Sequence, residues 1–291
     1  MDDSPNIPPL PCITAVKVDP SNLNVKADFP QVAAALLQEM ASWLRAASLL
    51  VPTPPDGWKD TQEAVLCGHV VRLSKILGRV SNALRQGDGE AALMFSRCAT
   101  ETIVNFNFLL RPGQEGLDRL RLFKEAGFRP ELKIRRDLRE RHAAKEGSEL
   151  DPSEVGALEG LNDFWSTHSL PDKVVDLPSM EDRLRKSGMD PKTDLFFISM
   201  PSQAIHGTYQ NIMDFHLEQI EEGVFAPRFA EVDINIVVPL GALESSLGVL
   251  DHWVYRVHHK IHQQWRESLV ELRNRLETVH QSLARIVDQE L

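Results

Sequence analysis

The chain has 291 residues, 42% of them hydrophobic, with a formal net charge of −10. That length and apolar share are enough for a substantial core, in one large domain or two small ones. The acidic balance argues against a broad electrostatic surface for nucleic acid and against a polybasic membrane patch, while leaving room for a small local basic site.

The three cysteines, Cys12, Cys67 and Cys98, are odd in number and show no metal-ligand spacing. Cys67 and Cys98 sit in apolar helical patterns and read as buried free thiols. The start, MDDSPN, is acidic where a leader would be basic, and no apolar run follows it. The longest apolar segment, 33–51, is interrupted by Gln38, Glu39 and Arg45, so no membrane span is expected. These features together predict a cytoplasmic protein without membrane contact.

Taken in order, residues 1–27 are rich in Pro, Asn and Asp and lack periodicity, which predicts a flexible arm. A helix is expected from Asp28 to Leu50, with Leu36, Leu37, Met40, Trp43 and Leu44 in its stripe. Prolines in VPTPPDGW stop it. A second helix is expected from a cap at Asp60, with Glu63 completing a capping box, to Gln86 and a C-terminal Gly87. A third runs from Gly89 to Leu110. The short turn between them predicts an antiparallel hairpin.

Shorter helices are predicted at 117–126, in the charged stretch ELKIRRDLRERHAAKE, from Asp151 and Pro152 through Trp165, and from Met180 to Lys186 with Gly188 closing. The charged stretch predicts a solvated helix. Met200 to Ile220 reads as an amphipathic helix opened by Pro201, with Tyr209, Met213, Leu217 and Ile220 on one face beside Ser202 and His206. After it the chain reads as extended, with one short strand at Ile234 to Val238. A heptad seam then runs from Leu243 to Ile286 with a stutter near Trp265 and Leu269. A continuous helix over 243–291 would be roughly 70 Å long. Its distal stripe, Leu272, Leu276, Val279, Leu283 and Ile286, has no later segment to cover it, which predicts a homodimer through this helix. The alternative is that the helix folds back against the first one. The fold expected is all-α, a helical bundle domain over 28–240 followed by the long C-terminal helix over 241–291.

The third helix carries the charge pattern of most chemical interest. With Arg97 as origin of the wheel, Glu101, Val104 and Phe108 fall within about 40°. Arg97 and Glu101 therefore share the apolar face four residues apart, where they can pair. The proposed site brings Arg97 and Glu101 together with Ser202 and His206. Read structurally, it is an internal polar cluster; read chemically, it is a pocket for a small ligand or an acid–base centre.

RCATETIVNF followed by SQAIHGTY resembles the R-x-x-x-E and S-x-x-x-H-G pair of a broad bacterial family of all-helical proteins of unknown function, and DFHLEQIEEGVFAP resembles the pattern that follows the family's His-Gly. Where many relatives carry Tyr, this chain has Phe196 or Phe197. That family in turn is similar to the HEPN helical nucleases, whose site is an Arg followed on the same helix, four to six residues later, by a His. The resemblance implies a metal-independent RNA-cleaving enzyme with His206 as acid–base, and Arg97 supplying the cation from another helix because Pro201 and Ser202 stand where the Arg would be. Arg136, Asp137 and His142 match the nuclease spacing literally, inside a helix where such residues are frequent.

Metal and cofactor signals are sparse. Glu277 and His280 make a single Glu-x-x-His, and His258 and His262 lie one helical turn apart as a zinc clamp would. There is no Gly-rich phosphate loop, no G-x-S-x-G elbow and no H-E-x-x-H, so no cofactor and no metal are expected. The reading is a helical binding or assembly module with a polar site at Arg97, Glu101, Ser202 and His206.

Overall fold

A computed structural model describes residues 10–50, 61–144, 152–167, 176–191, 197, 199, 216–222, 224–228 and 235–290. The fold is all-α, with one small sheet among the described residues. Two 3-10 turns, Pro20–Asn22 and Lys26–Asp28, lead into α1 (Phe29–Ser48), α2 (Gln62–Gln86), α3 (Gly89–Leu109), α4 (Gly113–Gly127), α5 (Arg129–Ala144), α6 (Pro152–Thr167) and α7 (Met180–Ser187). Strands β1 (Leu217–Glu221) and β2 (Val224–Pro227) precede α8 (Val237–Val257) and α9 (His259–Glu290). The chain forms two compact units, residues 1–108 with 183–291, and residues 109–182. Segments 28–108 and 183–240, expected to share one domain with what lies between them, fall in the first unit together with 241–291.

In the first unit α1 is the central element. Its stripe of Leu36, Leu37, Met40 and Leu44 is fully buried, and it packs along α2 and against α8 and α9. Small residues let α1 and α2 approach, with the hydroxyls of Ser74 and Ser81 donating to the carbonyls of Ala41 and Ala34 at 2.7 Å each. The α2 cap is Thr61, whose hydroxyl accepts from the Ala64 N–H at 3.3 Å, in place of the box expected from Asp60 and Glu63. Glu63 instead binds Arg256 of α8 at 2.7 Å. Gly87 closes α2 at φ 77°, and Asp88 caps α3 through the Ala91 N–H at 2.8 Å. Arg72 donates to Thr102 at 3.1 Å and Arg79 lies 5.8 Å over Phe95, so α2 and α3 run antiparallel.

The C-terminal segment departs from a single rod. His258 is extended, at φ −158° and ψ 94°, and ends α8. Helix α9 then folds back, with His262 meeting Asp251 at 2.8 Å and His280 reaching Glu244 at 3.8 Å. Trp265 stacks edge-on against Trp43 of α1 at 5.1 Å. Leu272, Leu276, Val279, Leu283 and Ile286 are all buried. The stripe that motivated a homodimer is thus covered within the chain. A fully buried large side chain is worth about 1.5–3 kcal/mol, which outweighs the lost turn of helix at His258.

The amphipathic helix expected to reach Ile220 does not. Leu217–Glu221 is strand β1, paired antiparallel with β2, and Ile220 is 60% exposed. The three-residue spacing of Leu217 and Ile220 suits a helix face, but the two-strand ladder takes these backbone groups instead. Residues 200–215 lie outside the described ones. The strand expected at 234–238 is also corrected, since Val237 and Val238 open α8, where Pro239 sits in the first turn with no N–H to lose. The ring of Phe197 packs on Gly241 of α8 so closely that a Cβ there would come within 2.4 Å of it.

In the second unit α5 and α6 pair antiparallel. Asn162 accepts from Arg135 at 2.8 Å and from Arg139 at 2.9 Å, and Arg141 binds Glu154 at 2.7 Å. The Arg135 guanidinium lies 5.2 Å over Trp165, which packs with Phe128 and Phe164. The charged helix is therefore solvated only on its outer face, since Arg135 and Leu138 are buried.

Candidate functional site

Arg97 and Glu101 lie on α3 and are half-buried, less deeply than the wheel predicted, while Val104 and Phe108 on the same face are fully buried. Among the described residues they do not pair with each other. The cation facing Glu101 is Arg183 of α7, a buried residue. Burial pulls the Arg183 guanidinium below its ordinary pKa, and the Glu101 charge opposes that shift. Arg183 also donates to the side-chain oxygen of Asn105 through a short hydrogen bond. Helix α7 is closed by Gly188 at φ 77°, and the Ser187 hydroxyl donates back to the Arg183 carbonyl at 2.7 Å.

Arg183 and Asn105 were missed in the sequence. Asn105 continues the four-residue step of Arg97 and Glu101 and was legible on the same wheel. Arg183 carried no signal, because an arginine in MEDRLRKS reads as surface until α7 is docked on α3. Ser202 and His206 lie outside the described residues, and so does any convergence of His206 with Arg97 or Glu101.

The other sequence candidates are accounted for locally. Arg136 is exposed and pairs with Glu140 at 3.8 Å, and the side chain of His142 lies outside the described residues. His258 Nδ1 accepts from the Ile261 N–H at 3.4 Å and His262 is held by Asp251, so this histidine pair shapes the α8–α9 turn. Among the described residues no group of three or more His, Cys, Asp or Glu side chains is placed to hold a metal ion. Cys67 is buried, and burial pushes its thiol pKa up; Cys98 is half-buried and Cys12 exposed. No helix of the described residues is long and apolar enough to cross a membrane.

A family model matches residues 63–224, more than half of the chain. The chain belongs to DUF5677, a family of unknown function. The DUF5677 span holds Arg97, Glu101, Asn105, Arg183, Ser202 and His206, and leaves α1, α8 and α9 outside it. No curated protein and no solved structure is significantly similar to the chain.

Proposed function

We propose that this chain is a helical binding module that recognises an anionic group of a small molecule or RNA at the polar cluster of Arg97, Glu101 and Asn105 on α3. The observation that carries the reading is the buried Arg183, balanced by Glu101 and Asn105 on one face of α3. Such a cluster is costly to bury and fixed once formed, which suits recognition better than proton transfer. Arg97 stands one turn from Glu101 on the same helix. Ser202 and His206 belong to this proposed site through their motif. Assembly through α9 is no part of the reading, because its stripe is already covered.

The RNA-cleaving alternative gives His206 the acid–base role and Arg97 the phosphorane charge. The experiment is native mass spectrometry of the purified full chain for bound anions, beside a cleavage assay on single-stranded RNA without added metal. The binding reading expects a retained ligand or RNA complex that Arg183→Met abolishes, with RNA left intact. Cleavage that disappears in His206→Ala, with RNA binding preserved, would establish the enzyme reading instead.

A further inference from the structure

The segment before α1 is held in an unusual way. None of residues 10–22 is buried, and the first buried side chain is Leu23. Its hydrogen bonds to the helices come from the main chain of one residue, beside half-buried Ile13 and Val18. The Val16 N–H donates to Glu39 Oε2 of α1 at 2.8 Å, and the Val16 carbonyl accepts from Arg275 of α9 at 2.8 Å. Glu39 and Arg275 also bind each other through two bonds, of 2.6 and 2.7 Å, with their side chains 3% and 13% exposed. The segment forms one wall of an open groove of about 390 Å³, lined by Cys12 and Ile13 and by Gln38, Ser42 and Arg85.

We infer that residues 10–22 are a strap that swings away from α1 and α9, opening this groove, while the helices stay folded. Opening removes no side chain from the core. It breaks two hydrogen bonds at Val16 and leaves Glu39 and Arg275 still paired, so no charge is stranded. A segment whose burial is slight and whose hold is a few bonds belongs to the low-stability end of a fold. Opening takes away one wall of the groove and turns the Glu39–Arg275 pair toward solvent. Because the pair contacts the strap through one N–H and one C=O, the latch reads backbone rather than side chain.

Hydrogen exchange on the full chain tests this. The Val16 amide is expected to show protection on the order of 10²–10⁴-fold, the range two hydrogen bonds to charged groups supply. The core amides of Leu36, Leu37 and Met40 should be protected at least about tenfold more, since they open only with the whole unit. Val16→Pro removes the N–H and should speed exchange across residues 12–19 about tenfold or more, with the melting transition unchanged. Val16→Ala keeps the N–H and should change neither. One common exchange rate for Val16 and α1 would make the segment part of the core and overturn the proposal. So would loss of the fold in Val16→Pro, unchanged exchange in Val16→Pro, or an equal release in Val16→Ala.

Discussion

At the residue scale, the charged groups divide by how their burial is compensated. The sequence predicted a buried ion pair between Arg97 and Glu101, on one helix. The deepest ion pair described is Glu39 with Arg275, 236 positions apart. Glu39 was read as an interruption of an apolar segment, and nothing local marks it as the partner of Arg275. Glu39→Ala leaves the Arg275 guanidinium in a largely dry site with the Val16 carbonyl at 2.8 Å and Glu271 at 3.9 Å, and should cost about 3 kcal/mol, at the low end for a broken buried pair. Urea unfolding of the variant measures it. His69 gives a pH signature. Its Nδ1 lies 2.8 Å from the Val65 carbonyl, which can only accept, so that nitrogen carries the proton. Burial holds the imidazole below its ordinary value of 6.5, with Arg72 adding to the shift and the Val65 bond opposing it. The unfolded state therefore binds the proton more readily. The stabilising contribution is full above pH 6.5 and is lost as pH falls below it toward the depressed folded value. The stability difference between pH 7.5 and 5.5, read by thermal melting, is expected to shrink in His69→Gln.

At the element scale, packing decided where helices stop. The cap and closing signals at Gly87, Gly188 and Pro152 matched the helix ends because they act within a few residues. The end of α8 has no Pro or Gly to mark it. His258 leaves the helix because the seam beyond it is buried only by turning back onto α1. The hairpin of β1 and β2 shows the same limit from the other side, since apolar spacing over four residues does not separate a helix from a strand. The close contact of Phe197 with Gly241 of α8 is likewise one that neither sequence segment announces. Gly241→Ala should lower stability by about 1–3 kcal/mol through overpacking against that ring, whereas Gly248→Ala, with open space around it, should be neutral or mildly stabilising. A pair of denaturant curves distinguishes them.

At the scale of the whole molecule, α9 is a core member of its unit rather than a protruding handle. Removing residues 273–291 takes Leu276, Val279, Leu283 and Ile286 out of contact with the bundle, together with the Arg275 latch. The truncated chain is therefore expected to lose cooperative melting by circular dichroism. Retention of a sharp transition with a halved mass in light scattering would restore the helix to a dimer interface. The all-α class, most helices and membership of a family of unknown function were legible in the sequence, since periodicity and caps are local properties of the chain. Of the candidate site, Arg97 and Glu101 were placed on the correct helix, the Arg183 that faces Glu101 was not foreseen, and Ser202 and His206 lie outside the described residues. Which cation meets Glu101, which carboxylate meets Arg275 and where α8 gives way to α9 were settled only by tertiary structure. Each depends on burying charge or apolar surface between segments far apart in sequence, and that free energy exists only once the helices are packed.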